Sequence, residues 1–262
     1  MTIYQVDAFT DQIFSGNPAA VVPLEDKWLP DATMQAIAAE HNLSETAFFL
    51  PRASGSDIEL RWFTPTTEVR FCGHATLASA HVLFHQLGYP HEEIAFHTRE
   101  LGVFRVRRDG DRYRMNFPAD DLQRVTPPAR LIDGLRTGVL ECWRGRDDYF
   151  AVLASEALVR SCTPDFGILQ KVEARGVIVT APGESVDFVS RGFFPQTGVD
   201  EDPVTGSANT SLTSLWSRKL DRPRLTARQL SRRGGQLWCE DLGQRIEISG
   251  QAVTYMRGEI FL

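Results

Sequence analysis

The chain has 262 residues, 28 of them Lys or Arg and 34 Asp or Glu, for a formal net charge of −6. That length and an apolar content of 42% suffice for one large core or two ordinary ones, which sets disorder aside. The basic residues are scattered rather than gathered into the one-faced stripe that a phosphate backbone demands, so nucleic acid is not an expected partner.

No basic segment leads into an apolar run after Met1, and no stretch approaches the roughly 18 apolar residues of a membrane span, so a cytoplasmic chain without membrane contact is expected. Cys72, Cys142, Cys162 and Cys239 lie far apart with no C-x-x-C pair. This argues against a zinc site or a disulfide framework and for reduced thiols.

In chain order, TIYQVDAF, AAVVPL, TAFFLP and DIELRWF read as strands, and one amphipathic helix carries Met34, Ile37 and Ala38 on its apolar side. The stretch RFCGHATLASAHVLF, residues 70 to 84, opens a helix predicted from Gly73 to Leu87. His74, Thr76, Ser79, His81 and His85 leave it no consistently wet face, and such a helix must be enclosed. Gly88 and Pro90 supply its stop. Residues 102 to 117, GVFRVRRDGDRYRMNF, are two alternating runs joined by Asp109-Gly110, the composition of a type I′ hairpin turn. Arg105, Arg107, Arg108, Arg112 and Arg114 read as its solvated face.

Pro127-Pro128 marks a link, after which the pattern repeats. At an offset of 131 residues Pro51 falls on Pro182, Trp62-Phe63 on Phe193-Phe194 and Thr66 on Thr197. After a two-residue insertion CGHATLASAHVLF falls on TGSANTSLTSLW, so Cys72-Gly73-His74 corresponds to Thr205-Gly206-Ser207. A second helix is predicted from Gly206 to about Lys219, rich in Ser, Thr and Ala. Each half then reads as a sheet curled around a central helix, an α+β fold of two similar domains.

A helix start leaves backbone N–H groups without intrahelical partners, backed by the helix dipole. At Gly73 and Gly206 a ligand can approach the backbone closely, and His74 or Ser207 adds a side-chain donor. The same residues serve equally as a ligandless helix start. Cys72 suits a base or nucleophile at a helix N-terminus, but its repeat partner is Thr205, which breaks any symmetric two-thiol mechanism, and buried cysteine also packs cores. Glu45, in HNLSETAFFLP, interrupts the passage into an apolar strand, where burial would raise a carboxylate's pKa and suit proton transfer. It falls on Gly176, so the acid is unique to one half. Asp202 in GVDEDPVTGSA and Asn17 in FSGNPAAVV are turn residues or ligand groups. His81 and His85, four apart, lack a third ligand, so no metal is expected there. No G-x-G-x-x-G or P-loop is present.

The set FSGNPAAVV, NLSETAFF, FTPTTEVRFCGHATLA, GVDEDPVTGSAN and SGQAVTYMRGEIFL closely resembles the phenazine-biosynthesis PhzF-like family, relatives of diaminopimelate epimerase. The resemblance implies two epimerase-like domains, residues 1–120 joined by a C-terminal strand at about 252–262, and residues 127–251, with the active site in the cleft between them. It implies a cofactor-free isomerase acting on a small carboxylate, and a homodimer. In the family's characterised isomerase a glutamate of the N-x-S-E-T segment shifts a proton between carbons of a hydroxylated cyclohexadiene carboxylate, and Glu45 matches it. His74, Asp202 and Ser207 match the substrate-side polar residues, Gly73 and Gly206 the backbone donors, and Asn17 is a further candidate for substrate binding. The related epimerases use two cysteines. With Thr205 opposite Cys72, the alternatives to a glutamate-based isomerase are a dehydratase or epimerase using Cys72 alone, or a carboxylate-binding protein without turnover.

Overall fold

The computed structural model of the chain describes residues 1–52, 57–100 and 102–262. Two compact units divide it, residues 1–116 with 249–262 and residues 117–248. The first contains β1 (Thr2–Ala8), β2 (Asn17–Pro23), α1 (Asp31–His41), β3 (Glu45–Pro51), β4 (Asp57–Phe63), β5 (Glu68–Val69), α2 (Gly73–His81), β6 (Glu93–Thr98), β7 (Gly102–Asp109) and β8 (Arg112–Pro118). Its strands pair in the succession β1·β2 antiparallel, β2·β3 parallel, β3·β4 antiparallel, β4·β6 parallel and β6·β7 antiparallel.

The second unit holds β9 (Gln123–Val125), α3 (Ala129–Leu135), β10 (Glu141–Arg144), β11 (Asp148–Val152), α4 (Glu156–Ser161), α5 (Phe166–Leu169), β12 (Gly176–Pro182), β13 (Phe188–Phe194), β14 (Val199–Asp202), α6 (Gly206–Leu220), β15 (Arg224–Gln229) and β16 (Gly235–Asp241). After β17 (Arg245–Gly250) the chain ends in β18 (Ala252–Glu259), which pairs antiparallel with β1 from Thr2↔Glu259 to Ala8↔Ala252. The last strand therefore completes the first unit.

The same succession of pairings recurs in the second unit: β10·β11 antiparallel, β11·β12 parallel, β12·β13 antiparallel, β13·β15 parallel and β15·β16 antiparallel. β3 and β12 start 131 residues apart, as do β4 and β13. The fold is α+β, two similar units of curled sheet, each with its own central helix. No helix among the described residues is long and apolar enough to cross a membrane.

Helix α2 packs against β1, β2 and β3, and every residue from His74 to His81 is buried. Its polar side chains tolerate this because they bond locally or across the unit. Thr76 Oγ1 donates to the Cys72 carbonyl at 2.6 Å and Ser79 Oγ to the Ala75 carbonyl at 2.7 Å. The predicted continuous helix to Leu87 differs at its end, where residues 82–86 widen into a π-helical turn. There His81 is held between the Tyr113 hydroxyl and Thr254 Oγ1, both at 2.9 Å.

The hairpin also differs from expectation. Asp109 pairs with Arg112, so the loop is Gly110-Asp111, and of the two only Gly110 takes a positive φ, 63°. That is the requirement of a type II′ turn, which needs left-handed backbone at its first central residue alone. Helix α1 buries Met34, Ile37 and Ala38, the three residues of its predicted apolar side.

Candidate active site

In the first unit, Glu45 opens β3 beside Ala19 of the parallel strand β2, whose first residue is Asn17. Asn17 is fully buried. Gly16 before it has φ +65°, and a Cβ there would meet the Ala8 carbonyl oxygen at 2.2 Å, so only glycine lets the chain enter β2 this way.

Cys72 is extended, with φ −142° and ψ 112°, and α2 begins at the next residue without a side-chain cap. The short helices α4 and α5 are capped instead by Ser155 and Asp165. The first-turn N–H groups of α2 are thus left to the local backbone or to a ligand.

His74 Nε2 approaches Glu45 Oε2 at 3.3 Å, with the His74 side chain 7% exposed and that of Glu45 20% exposed. Burial lowers the His74 pKa to about 3, so the ring is neutral near pH 7. The neutral imidazole thus stands at contact distance from the carboxylate, near enough for an Nε2–H to donate to it once the two are aligned.

The Cys72 sulfur lies 3.4 Å from Nδ1 and 3.9 Å from Nε2 of His74. The thiol therefore stands beside the imidazole, in contact with both ring nitrogens. Glu45, Cys72 and His74 offer three metal-ligand types within 4.8 Å of one another. A carboxylate, a thiol and an imidazole are donors that a zinc-like ion accepts, and the same three groups serve acid–base chemistry.

In the second unit Thr205 occupies the position of Cys72 and likewise gives α6 no side-chain cap. Its hydroxyl donates to Asp202 Oδ2 at 2.6 Å, and its backbone N–H donates to the buried Gln229 Oε1 at 2.9 Å. Gln229 Nε2 donates to the Asp202 carbonyl at 2.8 Å, which fixes the Asp202-to-Thr205 turn. Ser207, the second residue of α6, accepts at Oγ from Arg175 Nη2 at 3.1 Å.

Sequence reasoning missed Arg175, Gln229 and Asp148. The offset carried a signal for Arg175, because that residue directly precedes Gly176, the counterpart of Glu45. A Cβ at Gly176 would meet the Phe194 ring at 2.3 Å, so the position of the acid is filled by an aromatic ring in this unit. The brought-together residues are therefore Glu45, Cys72 and His74 in one unit and Asp202, Thr205, Ser207 and Arg175 in the other.

Two surface depressions run along β4, lined among others by Trp28, Arg61 and Arg99 and by Glu68 and Arg70. They are poor sites for an anion, because Arg61 is committed to Glu68 and Asp31 and Arg99 to Glu68.

The sequence profile of the PhzC-PhzF family, described as phenazine biosynthesis-like protein, matches residues 6–258. An uncharacterized isomerase of Pseudomonas aeruginosa is 48% identical over 262 residues, covering 100% of this chain and 99% of its own. The crystal structure of a PhzF-family phenazine biosynthesis protein from Enterococcus faecalis superposes with a TM-score of 0.96 at 44% identity, over 100% of this chain and 99% of that one. A probable proline racemase from Agrobacterium radiobacter shares the fold alone, with a TM-score of 0.65 at 12% identity over 100% of this chain and 93% of that one.

Proposed function

The chain belongs to the phenazine biosynthesis-like PhzC-PhzF family, and from that premise we propose that it is an isomerase that shifts a proton between carbons of a small unsaturated or hydroxylated carboxylate. The observation that carries this reading is the Glu45 carboxylate 3.3 Å from a buried imidazole whose pKa burial holds near 3. A base beside a neutral donor is what a proton shift requires. The isomerase name carried by the Pseudomonas aeruginosa relative supports the reaction class.

In this reading Glu45 removes a proton from the carbon next to the substrate carboxylate, and the electron pair moves into that group as developing enolate charge. The uncapped N–H groups at Gly73 and His74 stabilise that charge. Glu45 then returns the proton to another carbon, so the product is an isomer and no electron or cofactor is consumed. His74, whose Nε2 lies 3.3 Å from Oε2, is assigned the role of orienting the carboxylate. Asn17 supports the entry to β2 and is assigned a substrate contact. Asp202, Gly206 and Ser207 of the second unit are further substrate-side groups, and Asp202, with His74, is assigned to orient the substrate's polar groups or carry a proton between positions.

A screen of unsaturated, hydroxylated and amino carboxylates in D₂O, followed by NMR, tests the proposal. The expected result is an isomer formed, with or without deuterium exchange at carbon, for at least one acid class. Tight binding of a carboxylate with neither isomer nor exchange would favour a binding protein instead.

A further inference from the structure

The second residues of the two central helices carry opposite neighbours: His74 meets the Glu45 carboxylate, whereas Ser207 meets the Arg175 guanidinium. We propose that Arg175 is a positioning residue that turns the Ser207 hydroxyl into a dedicated donor, so that the start of α6 selects a ligand's acceptor oxygen, as in a carboxylate, over a donor such as an amide N–H. This inference rests on the substrate-side role given to Ser207 above.

A serine hydroxyl can donate once and accept twice, whereas a guanidinium only donates. Arg175 therefore occupies a lone pair of Ser207 Oγ, and its positive charge turns the hydroxyl hydrogen away from itself. Among the described residues this is the one hydrogen bond of the Ser207 side chain. Its proton is left for a ligand. The N–H groups of the first turn of α6 favour acceptors in the same way.

The guanidinium is itself held on two further sides. Its Nε donates to Asp148 Oδ1 at 3.0 Å and its Nη2 to Asp148 Oδ2, with Asp148 3% exposed. The Phe194 ring lies beneath it at 5.5 Å. Gly176, which pairs with Asp148 across β11 and β12, lacks the side chain that would displace that ring. A fork fixed by a buried carboxylate and an aromatic face meets Ser207 at one defined angle, which a lysine ammonium would not reproduce.

Binding of benzoate and its near-isosteric amide, benzamide, to the full chain tests this by calorimetry or NMR titration, using wild type, Ser207→Ala, Arg175→Lys and the double variant. Benzoate affinity is expected to fall about tenfold in Ser207→Ala and about threefold or more in Arg175→Lys, with benzamide, whose neutral carbonyl is a weaker acceptor than a carboxylate, losing less in each variant. In the Ser207→Ala background Arg175→Lys should cost nothing further, because the arginine acts through the serine. An equal cost with and without Ser207 overturns the inference. A wild type that prefers benzamide, or binds neither probe, overturns the carboxylate reading beneath it. Lysine keeps a cation opposite the buried Asp148. Should Arg175→Lys not fold, Asp148→Asn with Arg175→Gln removes both charges, and the same loss of benzoate preference is expected; an unchanged preference in that pair refutes the proposal.

Discussion

Glu45 and His74 meet through Oε2 and Nε2 at 3.3 Å, and the imidazole, its pKa lowered to about 3 by burial, does not compete with the carboxylate for a proton near neutrality. The pH profile of proton transfer is therefore expected to lack a histidine limb between about pH 5 and 8. His74→Asn should lower kcat by about ten- to a hundredfold without creating or removing a limb. A limb near pH 6.5 in wild type that vanishes in the variant would mean that His74 titrates.

Stability is expected to fall in acid for the same reason. His74 and His81 are neutral in the fold, their pKa values lowered to about 3 and about 4 from the ordinary histidine value of 6.5. Below pH 6.5 the unfolded chain binds protons that the folded chain refuses, so this stability is present in full above about 6.5 and is lost towards 4 and 3. Each histidine contributes up to about 1.4 kcal/mol per pH unit. Thermal unfolding of wild type and His81→Gln from pH 8 to 5 checks this, and the variant should lose less on acidification.

Gly176→Ala is expected to destabilise by about 1–3 kcal/mol, because its Cβ would meet the Phe194 ring at 2.3 Å and the Phe193 carbonyl at 3.0 Å. Phe194→Leu in the same chain should recover part of the loss. Urea denaturation of wild type and the two variants measures both effects, and a neutral Gly176→Ala would show that the ring is free to move aside.

Much of this architecture is legible in the sequence because its cues are local. Gly73 and Gly206 follow extended residues and precede enclosed helices, and the 131-residue offset is visible in paired Pro51 and Pro182. The turn differs by one residue from its sequence reading because strand pairing, which joins Asp109 to Arg112, selects the loop rather than dipeptide composition. The π-helical turn is illegible. The partners of His81 are Tyr113 and Thr254, which arrive from strands 32 and 173 residues away. Nor does any local pattern join Glu45 on β3 to His74 on α2; the sequence names each singly, one as a candidate base and the other as a donor at a helix start, without bringing them together. Arg175 escapes notice because its meaning depends on Asp148 and Ser207, each distant in sequence.

Cys72→Ser is expected to retain most of the isomerase activity, within about tenfold of wild type, since proton transfer is assigned to Glu45 and the counterpart of Cys72 in the second unit is Thr205 rather than a second thiol. At 6% exposure the thiol should also react slowly with iodoacetamide in the folded chain. Rapid alkylation that a carboxylate ligand blocks, joined to a deep loss of activity in Cys72→Ser, would favour thiol chemistry.

The most direct measurement is isomer formation by Glu45→Gln in D₂O, followed by NMR alongside deuterium content with a competent carboxylate. Glutamine keeps nearly the volume and reach of glutamate but cannot accept a proton near neutral pH. Deuterium content alone is insufficient, because a shielded glutamate can return the proton it took. The account predicts that wild type forms the isomer, that Glu45→Gln does not, and that the variant still binds the carboxylate through the N–H groups at the start of α2. Isomerisation by Glu45→Gln at the wild-type rate would contradict it.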